Sequence, residues 1–314
     1  MGFLERFEST LFVPLCMTSV MIASVTLEMV YIILTDPRLD PGPRVDGFAA
    51  GLAGEPWESM GPLAARHRPG LGLGPWRILH LACLAFIVSN VVGNLFFFIR
   101  KDPSIRGVFL SGQALGQGWG YCFLCESHTP QRCSHCHDCK VCVLRRDHHC
   151  VFFGQCVGHA NHRYFLCCLA HMWLGLLYAI VLNTEIFIEL LQEGLTFHSV
   201  FLLIMPWAML VTGQVSLSVF WFAFVADTCV VGFLFVSAFL LFHLQLLWRG
   251  QTTREWSAGR FGLYNLGWRR NVEELLGEWW YLTWLCPLLP SSMPGEGVTF
   301  KTRELAAHKP ASLF

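Results

Sequence analysis

Four stretches of the chain stay apolar for at least the length of a membrane crossing: residues 11–34, 76–99, 164–191 and 214–248. A helix needs about 20 mostly apolar residues to cross a hydrocarbon core of roughly 30 Å. The pattern therefore predicts an α-helical polytopic membrane protein with four transmembrane helices. A fifth apolar piece, 199–213, is about 15 residues long and contains Pro206. It is short for a crossing and reads, as part of 192–213, as a lumenal interfacial or re-entrant segment. The last stretch would be about 52 Å long as a helix, at roughly 1.5 Å per residue, enough to cross and continue into water.

The connections set the expected orientation. Residues 100–163 carry eight Lys/Arg against four Asp/Glu, and the tail 249–314 carries eight against six. Residues 36–75 carry four against five, and 184–198 carry no basic residue and three Glu. Basic loops prefer the cytosol. Residues 1–10, 100–163 and 249–314 are thus expected on the cytosolic side, and the Pro/Gly-rich loop 35–75 on the lumenal side. An endomembrane location such as the ER or Golgi follows as an expectation. Residues 11–34 lack the basic start and small-residue cleavage site of a signal peptide. Met1-Gly2 invites a myristoylation reading, but Arg6 stands where that pattern needs Ser or Thr.

Composition fits the pattern. The 314 residues are 54% hydrophobic and 14% charged, against about 25% charged in soluble domains. The formal net charge of zero lacks the basic excess of a nucleic-acid binder.

The 14 cysteines change the picture most. Eight of them fall between Cys122 and Cys156, with five histidines interspersed. A reducing cytosol argues against a disulfide framework there. Cys-x-x-Cys steps with nearby His are the spacing of tetrahedral zinc sites. A polar loop of this size has little core of its own, and zinc would supply folding energy. Two zinc ions need eight ligands, and the window holds more thiols and imidazoles than that. Spacing alone leaves the assignment open. A thiol beside an imidazole, itself beside a carboxylate, as in Asp147-His148-His149-Cys150, is also the arrangement of an activated nucleophile.

The window resembles the cysteine-rich domain of the DHHC protein S-acyltransferases (palmitoyltransferases). It supplies Cys122-x-x-Cys125, Pro130-x-Arg132, His135-Cys136-x-x-Cys139-x-x-Cys142, Asp147-His148-His149-Cys150, Cys156 and Asn161. Beyond the window, Thr252-Thr253-Arg254-Glu255 matches the family's Thr-Thr-x-Glu motif, and Tyr264-Asn265-Leu266-Gly267 through Asn271 looks like its tail motif. The Gln117-Gly118-Trp119 lead-in, Leu144 through Cys150 and Arg249 through Thr253 look most like one divergent vertebrate member. The resemblance implies four helices, with a two-zinc domain between the second and third. It implies one zinc on Cys122, Cys125, His135 and Cys142, and another on Cys136, Cys139, His149 and Cys156. It also implies Cys150 as the acylated nucleophile, His148 as its base and Asp147 as the group that polarises His148. The co-substrate would be a long-chain acyl-CoA such as palmitoyl-CoA, and the partners membrane-proximal proteins bearing cysteine.

Lys140, Arg145 and Arg146 are candidate partners for the CoA phosphates, with solvated charge as the plain alternative. The family's acyl-cavity end, counted from Cys156 without gaps, falls on Gly175. A glycine there would leave the cavity deep and accept chains of sixteen carbons or longer. The sequence departs from the family at Val151-Phe152-Phe153, where Pro-Trp is usual, with Phe152 keeping an aromatic. Other departures are Ser104 for Gly, Thr129 for Lys, and Cys133 for Ala or Ser.

Several signals have structural readings beside the chemical ones. Thr252-x-x-Glu255 fits a helix capping box, which is compatible with the family motif bracing the DHHC loop through such a turn, by direct contact with the Asp147 region or without it. Asn271, Glu274 and Gly277 read as a cap, a short helix and a stop, with Asn271 anchoring the tail. Glu28 and Asp227 are ionisable groups in apolar stretches that a helix end or a neighbouring hydrogen bond would satisfy. His171, Cys167 and Cys168 suit packing, and Trp279-Trp280-Tyr281 suits an interfacial belt. Three other functions compete: a catalytically weak membrane scaffold, a membrane zinc-ring ubiquitin ligase, and a transporter. The last lacks any inverted repeat.

Overall fold

The computed structural model describes residues 9–36, 39, 74–107, 118–184, 188 and 196–303. Among the described residues, four helices are long and apolar enough to cross a membrane: α1 (Ser9–Thr35), α2 (Pro75–Arg100), α3 (His162–Leu182) and α6 (Leu217–Trp248). Between the last two lie α4 (Phe197–Ile204) and α5 (Pro206–Val211), of eight and six residues. Pro206 divides them because it lacks an N–H and takes the first helical position of α5. The apolar segment 199–213 is therefore two short helices, neither of spanning length. The last residues expected of the third crossing, 183–191, lie beyond the end of α3 and are in part outside the described residues.

The chain divides into two compact units. One comprises 21–88 and 175–232. Its core is apolar: Met29, Ile33, Leu84, Ala179, Val225 and Cys229. Two polar pairs interrupt it. Glu28 is buried and accepts a hydrogen bond from Asn183 Nδ2 at 3.4 Å, and His80 Nδ1 lies 2.5 Å from the Tyr178 hydroxyl. Glu28 thus takes the hydrogen-bonded reading rather than a free charge. Gly175 belongs here, and a methyl added to it would meet Ile87 Cγ2 at 3.3 Å.

The other unit comprises 1–20, 89–174 and 233–314. It holds the cysteine-rich segment, which contains three antiparallel hairpins of three-residue strands. These are β1 (Gly120–Cys122) with β2 (Ser127–Thr129), β3 (Ser134–Cys136) with β4 (Val141–Val143), and β5 (His148–Cys150) with β6 (Gln155–Val157). Strands this short bury little on their own. Glu126 and Lys140, each directly after the second cysteine of a Cys-x-x-Cys, take left-handed φ of 49° and 52°. That conformation is costly for a side chain and persists where its surroundings impose it.

The tail packs in the same unit, through α7 (Thr253–Ser257) and α8 (Trp268–Leu276). Leu275 and Leu276 join Leu166, Cys167 and Leu247 in its apolar cluster. Cys167 and Cys168 are buried packing residues, and His171 Nδ1 meets the Cys167 carbonyl at 2.8 Å.

Candidate active site and metal centres

The hairpin register decides which residues meet. In β3–β4, His135 faces Cys142, and in β5–β6, His149 faces Cys156. The first cluster gathers Cys122, Cys125, His135 and Cys142. His135 Nδ1 lies 3.2 Å from Cys125 Sγ, 3.7 Å from Cys122 Sγ and 4.0 Å from Cys142 Sγ. The second gathers Cys136, Cys139, His149 and Cys156. His149 Nδ1 lies 3.3, 3.7 and 3.8 Å from the sulfurs of Cys139, Cys136 and Cys156.

Tetrahedral zinc has bonds of about 2.3 Å to sulfur and about 2.0 Å to nitrogen, which puts ligand atoms roughly 3.5–3.8 Å apart. Both clusters fit that spacing, with four donors each. Cys139 and Cys156 share a proton across 3.7 Å. The bond from Cys156 lowers the Cys139 thiol to about 4, against burial and with help from His149, and raises Cys156. A metal ion takes the place of such protons. The clusters are the pair that the resemblance implies.

Strand alternation separates metal from chemistry. Successive side chains of a strand point to opposite faces, so His149 turns to its zinc cluster while His148 and Cys150 share the other face of β5. Cys150 is buried. His148 Nδ1 bonds Asp147 Oδ2 at 2.7 Å. Asp147 also accepts from Thr253, at Oδ1 from the backbone N–H (2.9 Å) and at Oδ2 from the hydroxyl (2.7 Å). Burial alone would raise the Asp147 carboxyl, but the His148 bond and the histidines around it hold it well below the usual carboxylate range. For His148, burial works against the charge, but the Asp147 bond and the nearby Cys150 thiol raise it to about 9. His148 Nε2 makes no hydrogen bond of ordinary geometry among the described residues. The approach of Cys150 is therefore a contact rather than a completed bond.

The Thr-Thr-x-Glu turn is both a capping box and a brace. Thr252 Oγ1 accepts from Glu255 N at 3.2 Å, and Glu255 Oε2 accepts from Thr252 N at 2.9 Å. Thr253, one residue on, carries the two bonds to Asp147. Sequence reasoning missed the partner of Glu255. Arg132 of the Pro-x-Arg motif donates to both its oxygens, at 2.6 and 2.7 Å, and to the Gly250 carbonyl at 3.1 Å. Its guanidinium also sits over the rings of Tyr264 (4.1 Å) and Phe300 (5.0 Å). The two charges are 5% and 11% exposed. Removing one partner of a buried pair leaves the other uncompensated, at a cost of about 3–5 kcal/mol. Glu255→Ala is expected to lower the thermal unfolding midpoint accordingly, with both zinc ions retained. A loss under about 1 kcal/mol, as at an exposed pair, would show the clamp to be dispensable.

Asn271 is not the cap that the sequence suggests. Gly267 caps α8, and Asn271 lies inside the helix. Its side chain ties the tail to the end of α6, donating to the Trp248 carbonyl (2.8 Å) and accepting from Leu266 N (3.0 Å). Gly250 must be glycine beside it: φ is +64°, and a Cβ would lie 2.8 Å from Asn271 Oδ1. Gly277 ends the helix as expected.

The basic candidates separate. Lys140 is exposed. Arg146 donates to the His135 carbonyl at 2.6 Å. Arg145 is 2% exposed, which corrects its reading as an accessible phosphate contact. Burial, then Arg132, brings its guanidinium down to about 10. The positive φ of 44° at Arg145 turns its side chain inward, a local bend no spacing rule announces. Phe152 is half exposed, in a short 3-10 turn (Val151–Phe153), with its ring 6.0 Å from that of Phe235. A cavity of about 530 Å³ opens beside the Thr-Thr-x-Glu turn, with Arg132, Arg146, Arg254 and Arg260 in its lining.

Two closed Cys/His clusters holding an Asp-His-His-Cys strand, in a chain with four spanning helices, define a membrane-embedded DHHC domain. The profile of the DHHC palmitoyltransferase family matches residues 117–260. The chain is 51% identical over 288 residues to "Probable palmitoyltransferase ZDHHC24" of Danio rerio, covering 92% of this chain and 89% of that one. It is 45% identical over 295 residues to the Homo sapiens protein of the same name, covering 94% and 93%. Against "Palmitoyltransferase ZDHHC15" of Homo sapiens it is 32% identical over 199 residues, covering 59% and 51%. The chain belongs to the DHHC palmitoyltransferase family and is a multi-pass membrane enzyme.

Proposed function

We propose that this chain moves a long-chain acyl group from acyl-CoA to protein cysteine thiols through an S-acyl intermediate on Cys150. The observation that carries the reading is the Thr253–Asp147–His148 chain of hydrogen bonds, ending beside Cys150 on the face of β5 that the zinc ligands do not use. Asp147 fixes the His148 tautomer and orientation, leaving Nε2 toward the thiol. Cys150 loses its proton to Nε2 and attacks the thioester carbonyl. The bond from carbonyl carbon to CoA sulfur breaks, and the CoA thiol leaves with the proton from His148. A substrate thiol then gives its proton to His148, attacks the acyl-Cys150 carbonyl and releases the Cys150 thiol.

The zinc ions would be held by the two four-residue clusters, which leave no open ligand position, so their part is to fix β5 rather than to react. The arginine-lined cavity and exposed Lys140 suit the phosphates of CoA, and Phe152 suits the start of its acyl chain. Gly175, without a side chain, suits acyl chains of sixteen carbons or longer. Acyl-CoA competition favouring fourteen carbons or fewer would overturn that preference. The basic cysteine-rich loop and tail support a reading with both termini in the cytosol, in an endomembrane such as the ER or Golgi.

The test is incubation of purified protein with labelled palmitoyl-CoA and then with a cysteine peptide. The expected result is a label on the protein that neutral hydroxylamine removes and the peptide thiol takes up. A chain that folds with two zinc ions and takes no label is a scaffold.

A further inference from the structure

His243 of α6 is a buried residue beside this site that the mechanism does not use. It is 2% exposed, and its Nδ1 makes no hydrogen bond among the described residues. Its ring lies 5.5 Å from that of His148, and both rings pack against Phe165 and Phe239. A buried imidazole with an unsatisfied nitrogen loses hydration without compensation. One ligand atom from each of Asp147, His148 and His243 lies within 4.8 Å of the other two.

We propose that Asp147, His148 and His243 form a third, inhibitory site for a zinc-type divalent cation. Two imidazoles and a carboxylate are a donor set of open zinc sites, and a free thiolate is not needed to complete it. The ion takes the place of the proton that His148 Nδ1 and Asp147 Oδ2 share across 2.7 Å. With metal–ligand bonds of about 2.0–2.1 Å, that separation widens to roughly 3.3 Å, a side-chain rotation rather than a refolding. The two Thr253 bonds to Asp147 remain and orient the carboxylate, as outer partners of metal ligands do. The side chain of His148 is 20% exposed, which gives the ion a way in.

The consequence follows from the ring. A metal on Nδ1 displaces the neutral ring's one proton, which moves through solvent to Nε2, so Cys150 has no acceptor for its own. The site therefore switches off the chemistry without touching the two zinc clusters that fold the domain.

This inference uses the proposed base, yet its test does not depend on acylation. Full-length protein in detergent is equilibrated in zinc buffers, and bound zinc is counted by mass spectrometry. Wild type and Cys150→Ser, which cannot be acylated at sulfur, are expected to bind three ions at raised free zinc. His243→Phe is expected to bind two. In wild type the added ion abolishes labelling by palmitoyl-CoA. In His243→Gln, which keeps a polar side chain, half-inhibition needs about ten-fold or more free zinc. A His243→Phe chain holding fewer than two ions has lost its fold, and the His243→Gln count then decides. Equal counts in wild type and in the folded His243 variant overturn the proposal. A failure of labelling at low zinc, with the counts as expected, overturns the acyl-transfer reading and leaves the metal site standing.

Discussion

Replacement of Cys150 by serine is expected to leave no hydroxylamine-labile acyl label on the chain and no transfer to a peptide thiol. The reason lies in the atom. A thiol near neutral pH is partly thiolate and strongly nucleophilic, whereas a serine hydroxyl needs far stronger activation. His148 is placed to take a proton from residue 150, but a serine hydroxyl holds its proton far more tightly than a thiol does. Any ester formed on serine would resist neutral hydroxylamine, so the readout separates oxygen from sulfur chemistry. The change removes little volume, and the zinc clusters use the opposite face of β5, so two bound zinc ions serve as the control for folding. Undiminished labelling in a zinc-replete Cys150→Ser chain would rule out Cys150 as the nucleophile. The other thirteen cysteines are too many to test singly, but the cluster geometry narrows the field. Six lie in metal clusters, and Cys167, Cys168 and Cys229 are buried in helices.

How much of this was legible in the chain depends on the range of the interaction. The four spanning helices follow from local apolar length, and the structure places all four. The zinc clusters were legible as a donor count, but spacing left the partition open. The resemblance supplied it, and hairpin register accounts for it, since His135 opposite Cys142 and His149 opposite Cys156 are facts of pairing. Pairings across more than a hundred residues were not legible. Nothing local in Pro130-x-Arg132 says that the arginine reaches Glu255, 123 positions away, and stacks on Tyr264. Asn271 misled for a related reason: an Asn three residues before a Glu has the look of a cap, but its amide is spent on the Trp248 carbonyl. Arg145 misled because charge predicts exposure unless partners are known. The carboxylates of Asp147, Glu255 and Glu274 all act on it.

The same long-range contacts make Asp147 the most informative position after Cys150. Asp147→Asn is expected to slow acylation by palmitoyl-CoA by about 10³–10⁴-fold, the order seen where an oriented base loses its carboxylate. Asparagine has one acceptor oxygen and one amide donor in place of two acceptors. Asp147 now takes the Thr253 N–H on Oδ1, and the Thr253 hydroxyl and His148 Nδ1 on Oδ2. If the amide nitrogen turns to the Oδ2 side, it meets His148 as a donor. His148 must then accept at Nδ1 and carry its proton on Nε2, which is the wrong tautomer to deprotonate Cys150. If it turns to the Oδ1 side, it opposes the Thr253 N–H, and the brace to α7 weakens instead. Either way the charge that stabilises a protonated His148 is gone. Single-turnover labelling at saturating acyl-CoA reports the chemical step, and zinc content with the thermal midpoint reports the fold. Thr253→Val removes only the hydroxyl contact and keeps the carboxylate, so it should cost far less than Asp147→Asn. Acylation of the Asp147→Asn chain within ten-fold of wild type would show that His148 does not depend on the carboxylate. The hydrogen-bond chain from Thr253 would then be a structural brace and not part of the chemistry.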